Sequence, residues 1–93
     1  MGLVFEWDSN KARTNILKHN VSFEEATTIF GDKHSITIES PVRSTQERRL
    51  ITMGMTAGEQ IVVAVHTERG HRIRIISARP ASRKERKQYL HET

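Results

Sequence analysis

Two arginines near the C-terminal end of the chain have the chemistry of a phosphate clamp. Arg74 lies in an apolar run, between Ile73 and Ile75, where its guanidinium group must pair with an acid, reach water or bind an anion. Arg79 follows in the same run, and a planar guanidinium fork matches the oxygens of a phosphate. Strict strand alternation places the two on opposite sheet faces, so they converge only if the strand ends or bulges near Ser77. The alternative for Arg74 is an ion pair with one of three acids: Glu39, Glu68 or Glu85.

Acid–base chemistry could come from the last predicted helix and from the end of the first. Glu85 and Tyr89 are four residues apart and share a helical face, so Glu85 could act as a general base and Tyr89 as an acid or a phosphate ligand. Glu85 equally fits a capping box with Ser82. His19, preceded by Lys18, is either a partner of the helix dipole or a site residue.

The sequence offers few candidate ligands for a metal ion. His66 and His71 have the spacing H-x4-H, but a metal site would need a third ligand. With no cysteine in the chain, zinc ribbons, iron–sulfur clusters, disulfides and thiol nucleophiles are excluded. We expect neither a bound metal nor a cofactor.

The positive charge is concentrated in one segment. The formal net charge is +4, and residues 69–87 hold eight of the fifteen lysines and arginines but only one acid, Glu85. This segment therefore carries a net charge of +7, and the rest of the chain −3. Such a segment is typical of proteins that bind a polyanion or an acidic partner, and a solvated helix face is the plain alternative.

Length and hydropathy bound the architecture. The 93 residues suffice for one domain with one modest core, so residues 1–93 are expected to form a single domain. The N-terminal residues lack the basic start and apolar stretch of a secretory signal, and no apolar run approaches the roughly 20 residues of a membrane span. We therefore expect a cytoplasmic protein that does not enter a membrane.

The first third of the chain predicts a strand and a helical hairpin over residues 8–30. A short N-terminal strand precedes Asp8, an N-cap, and Asn20 is suited to a left-handed C-cap for the helix that follows. Ser22 and Glu25 form a capping box, S-x-x-E, which begins the second helix of the hairpin.

The rest of the chain predicts four strands and a last helix. Apolar residues then follow a period of two, which indicates four strands at 35–39, 49–56, 60–67 and 72–77. A loop at 41–46 follows the first of these strands. The third of these strands lacks alternation and should be central, covered on both faces. After Pro80, the capping box of Ser82 begins a helix to about Leu90. The order β-α-α-β-β-β-β-α is that of an α+β domain with helices packed on a mainly antiparallel sheet.

The sequence resembles the BrnT-type toxin family along nearly its whole length. The matching pieces, in order and at matching spacing, are Phe5-Glu6-Trp7-Asp8, Lys11, Asn15, Lys18-His19-x-Val21-Ser22-Phe23-Glu24-Glu25-Ala26, Glu47-Arg48, Gly54, His66-Thr67 and Arg74-Ile75-Ile76-Ser77-Ala78-Arg79-x-Ala81, with Glu85 and Tyr89 beyond. Pro80 departs from the basic or polar residue expected there. Ser40 and Pro41 depart from a loop that tends to be more acidic in the family.

The resemblance implies the toxin of a bacterial type II toxin–antitoxin module, with a RelE-like ribonuclease fold, that cleaves RNA and so stops translation and growth. It implies a BrnA-type ribbon-helix-helix antitoxin that neutralises the toxin directly, binds operator DNA itself and forms a 2:2 assembly. By matching motif the catalytic candidates are Arg74, Arg79, Glu85, Tyr89 and His19. The predicted substrate-binding residues are Lys18, with Arg72 and Arg83 from the basic segment.

Metal-free cleavage of RNA would use these residues in three roles. The two clamp arginines hold the phosphate, assisted by Lys18. Glu85 or His19 removes the proton of the 2′-OH, and Tyr89, or the other member of that pair, protonates the leaving 5′ oxygen. The product is a 2′,3′-cyclic phosphate. Non-catalytic alternatives stay open: a basic module that docks on nucleic acid, or an adaptor whose basic helix recognises an acidic protein partner.

Overall fold

The computed structural model describes residues 2–41 and 47–92. Within these ranges the chain forms five strands and three helices: β1 (Val4–Glu6), α1 (Ser9–His19), α2 (Phe23–Thr27), β2 (Ile36–Glu39), β3 (Leu50–Met55), β4 (Ile61–Arg69), β5 (Arg72–Pro80) and α3 (Arg83–Glu92). A short 3-10 turn, Thr28–Gly31, continues α2. None of the helices in the described ranges is both long enough and apolar enough to cross a bilayer. Beyond Pro41, the predicted loop at 41–46 lies outside the described residues.

Capping residues set the limits of α1 and the start of α2, as predicted. The Asp8 carboxylate accepts a hydrogen bond from the Lys11 N–H at 3.0 Å, and the Ser22 hydroxyl accepts one from the Glu25 N–H at 3.0 Å. Asn20 ends α1 in the left-handed conformation, with a φ of 57°. The second helix is shorter than predicted, because three β-branched residues in succession follow its start and disfavour further α-helical turns.

The five strands form one mixed sheet in the order β1-β5-β4-β3-β2. From β2 to β5 the strands pair antiparallel in succession, whereas β1 pairs parallel with β5. The parallel pairing needs a long connection, and the helical hairpin and three strands supply it. β4 lies at the centre, and its residues 61–64 are all buried, which confirms that this strand is covered on both faces.

A β-bulge decides which face each clamp arginine occupies. The register between β4 and β5 shifts between Val65 and His66, which makes Ile76 an extra residue of β5. Side-chain alternation moves by one residue at such a bulge. Arg74 and Arg79 therefore lie on the same face of the sheet. A bulge in this strand is one of the two conditions under which the sequence predicts that the two arginines converge.

Two separate apolar clusters cover the two faces of the sheet. On one face α1 and α2 pack against β4 and β5, and the cluster includes Phe23, Val62 and Ile75. On the opposite face, which we call the α3 face, Tyr89 of α3 packs with Val63 and other residues of the sheet. The α3 face also carries the clamp arginines, whose side chains stay partly exposed.

Asn15 of α1 forms hydrogen bonds with the part of β5 that does not pair with β1. β1 pairs only with residues 72–74. Beyond them the buried Asn15 amide takes the place of a neighbouring strand: its Nδ2 donates to the Ala78 carbonyl at 2.7 Å and its Oδ1 accepts the Ala78 N–H at 3.1 Å. The same Nδ2 donates to the Val21 carbonyl at 2.9 Å. These bonds fix α1 to the strand that carries Arg79.

Candidate active site on the α3 face

Three arginines gather around one carboxylate on the α3 face. Glu6 of β1 lies in register with Arg74 of β5, and the Arg74 Nη1 is 3.5 Å from the Glu6 carboxylate. Arg72 and Arg69 approach the same carboxylate at 3.6 Å and 3.9 Å. These distances exceed those of a strong bidentate pair, about 2.7–2.9 Å. The four residues, which we call the Glu6 cluster, therefore keep donors and positive charge for an anion.

Arg72 and Arg74 are the members of the Glu6 cluster that solvent anions can reach. Arg69 is tied to a second acid, since its Nε and Nη2 donate to Glu47 at 2.7 Å each. This hydrogen-bonded pair raises the pKa of Arg69 and lowers that of Glu47. Within the described residues Glu6 is the only acid at ion-pair distance from Arg72 or Arg74, whose side chains are 61% and 37% exposed.

Arg79 is already bound to Glu85 at the start of α3. Its Nη1 and Nη2 donate to the Glu85 carboxylate at 2.7 Å and 2.9 Å, a bidentate pair. Glu85 also accepts the Ser82 N–H at 2.8 Å, and the Ser82 hydroxyl accepts the Glu85 N–H at 3.1 Å, which confirms the predicted capping box. The Arg79 guanidinium and, less strongly, the Ser82 N–H lower the pKa of Glu85 to about 2. In this state Glu85 is ionised at neutral pH but is a very weak base.

Tyr89 points into the protein. It is 4% exposed, and its hydroxyl donates to the Asp32 carboxylate at 2.5 Å. Burial and this hydrogen bond raise the pKa of Tyr89 to about 12. Asp32 also accepts the N–H groups of Met55 at 2.8 Å and His34 at 2.9 Å. Tyr89 thus anchors α3 to the segment after α2, and its hydroxyl is not presented to a ligand.

Lys18 and His19 lie beside β5, on the side of α1. Both are exposed at the end of α1 and line a shallow cleft of about 280 Å³ with Ile76 and Ser77. The bulge therefore borders this cleft as well as the α3 face. Arg83 is exposed at the start of α3. The structure thus distributes the predicted residues along β5 and around its edge, with Tyr89 set apart in the core.

His66 has a structural position in the middle of the sheet. Its Nε2 lies 2.8 Å from the Thr52 hydroxyl, and its ring meets Phe30 edge to face, with 4.9 Å between ring centroids. Burial lowers the pKa of His66, so the ring is neutral at pH 7, whereas His71 is exposed. In residues 2–41 and 47–92, no group of three or more potential metal-ligating side chains lies close enough together to hold a metal ion.

Most of the chain matches one known protein family. The family model described as "Ribonuclease toxin, BrnT, of type II toxin-antitoxin system" matches residues 7–85. The chain belongs to the BrnT family. It is also similar to the 1.1 Å crystal structure of the Brucella abortus ribonuclease toxin BrnT, with a TM-score of 0.61 and 26% identity over 89% of this chain and 99% of that one. No curated protein matches the chain.

The matched range relates directly to the site. It contains Arg74, Arg79 and Glu85, whereas Glu6 lies one residue before it and Tyr89 four residues after it. The similarity to the Brucella BrnT structure supports the α+β arrangement of three helices and a five-stranded mixed sheet.

Sequence reasoning did not select two acids that organise this face. For Arg74 it offered Glu39, Glu68 and Glu85 as partners, but the partner is Glu6, because β1 joins the sheet next to β5. The alternation of Phe5 and Glu6 indicates that Glu6 faces away from Phe5, yet only the pairing of β1 with β5 places it at Arg74. Asp32, which holds Tyr89, stands outside every motif in the sequence.

Proposed function

We propose that this member of the BrnT family is an endoribonuclease toxin that cleaves RNA, and thereby stops translation and growth until a cognate antitoxin binds it. The observation that carries the proposal is the bulge at Ile76, which puts Arg74 and Arg79 on one face, opposite Thr67 and Val63 of β4. Two guanidinium groups on one partly exposed face suit the phosphates of an RNA strand.

The RNA phosphate first meets the Glu6 cluster. Arg72 and Arg74 offer exposed guanidinium donors that Glu6 engages only loosely, at 3.5–3.6 Å, so a phosphate gains hydrogen bonds there without breaking a strong pair. Arg79 is different, because a phosphate oxygen must replace the Glu85 carboxylate on its fork. Lys18 and Arg83 assist at the two margins of β5.

Release from Arg79 makes the Glu85 carboxylate more basic. The pKa of Glu85 is about 2 mainly because Arg79 donates to it, so the loss of that hydrogen bond raises the pKa and makes Glu85 a stronger base. The 2′-OH then attacks the phosphorus as the ionised Glu85 takes its proton. The exposed His19, in its protonated form, gives a proton to the leaving 5′ oxygen. The products are a 2′,3′-cyclic phosphate and a 5′-OH end.

The position of Tyr89 does not support the role of an acid. Its hydroxyl is buried and donates to Asp32, and a pKa of about 12 makes it a poor proton donor. We assign Tyr89 instead to holding α3, and with it the start of the helix that carries Glu85.

The reaction proposed here is independent of metal ions. Arginine and lysine side chains supply the cations that the phosphorane oxygens need. The same arrangement, with α1 and α2 on one sheet face and α3 beside cationic side chains on the other, supports a RelE-like ribonuclease classification. A toxin that stops translation acts in the cytoplasm.

The partner of the toxin is a BrnA-type ribbon-helix-helix antitoxin. A type II module pairs a protein toxin with a protein antitoxin, and the family description includes such a module. We propose that the antitoxin neutralises this chain by direct binding, in a 2:2 assembly. Operator DNA is then bound through the antitoxin rather than by the toxin itself.

Induction of this chain in bacteria, alone and together with the adjoining gene, tests the proposal. Growth arrest that the adjoining gene reverses, with RNA cut at new sites, is the expected result. A soluble, folded chain that causes no arrest and leaves RNA intact would contradict it. Salt-dependent RNA binding by such a chain would instead identify the non-catalytic binding module.

A further inference from the structure

The α3 face carries an apolar strip that no element of the described structure covers fully. Ile36 and Ile38 of β2 and Ile51 of β3 lie on this face, and together with Glu85 and Gln88 of α3 they line a shallow groove of about 110 Å³. Ile38 is 56% exposed. Exposed apolar residues that lie together, rather than singly, are a feature of protein-binding surfaces.

The strip ends at an open strand edge. β2 is the last strand of the sheet, and Ser40 donates its N–H to the Arg49 carbonyl of β3 at 2.9 Å. Because peptide groups alternate in an antiparallel ladder, those of Thr37 and Glu39 point away from β3. No described strand pairs with that outer edge. An additional strand would find peptide donors and acceptors there and would cover Ile38.

The charge beside the strip indicates an acidic occupant. The exposed side chains of the first turns of α3 include four basic residues: Arg83, Lys84, Arg86 and Lys87. Lys84 lies one helical turn from the groove residue Gln88, on the same side of the helix. The acid among them, Glu85, is committed to Arg79 and Ser82. A second copy of this chain would bring a second basic α3 to the groove, so like charges oppose self-association.

We propose that β2 and the adjoining groove bind an extended, acidic segment of the antitoxin, which adds as a sixth strand at the edge of the sheet. The inference rests on the proposed function, because it takes the antitoxin as the partner. RNA is the weaker candidate, since the apolar floor of the groove offers neither cations nor aromatic rings for stacking.

Two aspartate variants test the surface with matched chemistry. Ile38→Asp places a charge in the strip, and Leu17→Asp makes the same kind of change at an 87% exposed residue of α1, on the other face. Both sites are exposed, so both variants should fold. We expect Ile38→Asp to bind the purified product of the adjoining gene roughly 30-fold more weakly or worse, and Leu17→Asp to bind it like the parent. Both variants should still cleave RNA.

Hydrogen exchange gives a second, independent measurement. In the complex of the parent chain with the adjoining gene product, the amides of Thr37 and Glu39 should exchange more slowly than in the free chain. Unchanged exchange at these amides, or parent-like binding by Ile38→Asp, would overturn the inference while leaving the proposed function intact. Loss of RNA cleavage in folded Ile38→Asp with normal partner binding would assign the strip to RNA. A parent chain that does not bind the adjoining gene product would overturn the proposed partner and this inference together.

Discussion

Replacement of Asn15 by alanine should destabilise the protein strongly, because this side chain substitutes for a strand. Asn15 makes three hydrogen bonds of 2.7–3.1 Å to the backbone of Ala78 and Val21, residues that are 0% and 2% exposed. Asn15→Ala leaves three buried backbone groups without their partner, at about 1–3 kcal/mol each. Water that enters the gap offsets part of this. We expect the free energy of unfolding to fall by about 3–5 kcal/mol, out of roughly 5–15 kcal/mol for a domain.

Urea unfolding followed by circular dichroism measures this loss, with Asn10→Ala as the matched control. Asn10 lies in the same helix but is exposed, and its side chain accepts a hydrogen bond from the exposed Arg13, so its replacement should change stability by less than about 0.5 kcal/mol. In thermal unfolding, Asn15→Ala should lower the Tm by roughly 15–30 °C. A loss below about 1 kcal/mol in Asn15→Ala would refute the argument that Asn15 closes the edge of β5.

Two further variants probe the start and the anchor of α3. Glu85→Gln keeps the capping box but loses the ion pair with Arg79, whose contribution to stability exists above pH 4.5 and disappears as the pH falls towards 2. Urea unfolding at several pH values should therefore show parent and variant separated at pH 7 and converging near pH 2; a separation independent of pH would count against the pair. Tyr89→Phe loses the hydrogen bond to Asp32, so it should lose about 1 kcal/mol of stability but keep its cleavage rate. Loss of RNA cleavage in folded Tyr89→Phe would restore Tyr89 as the acid.

Local signals in the sequence predict most of the secondary structure. The caps at Asp8, Asn20 and Ser22 lie where predicted because each depends on residues only a few positions away. The same holds for the alternating apolar patterns of the strands and for the capping box of Ser82 and Glu85. Such interactions need no knowledge of the tertiary structure.

The candidate site depends on long-range pairing, which the sequence pattern does not encode. The bulge at Ile76 results from the register between β4 and β5, and the place of Glu6 results from the parallel pairing of β1. For Tyr89, helical spacing predicts a face shared with Glu85 but not which neighbour that face meets. The chain buries Tyr89 against Asp32, 57 residues away, a contact that spacing alone does not predict.

Cleavage of RNA by the purified chain in the presence of EDTA tests the central claim most directly. The parent and Arg13→Ala, which changes an exposed arginine of α1 away from the α3 face, should both cut RNA and leave 2′,3′-cyclic phosphate ends. Arg74→Ala, folded by circular dichroism, should cut at least about 100-fold more slowly, since it removes a guanidinium that stabilises the transition-state charge. Parent-like cleavage by folded Arg74→Ala, or cleavage that EDTA abolishes, would contradict the account of a metal-independent arginine clamp.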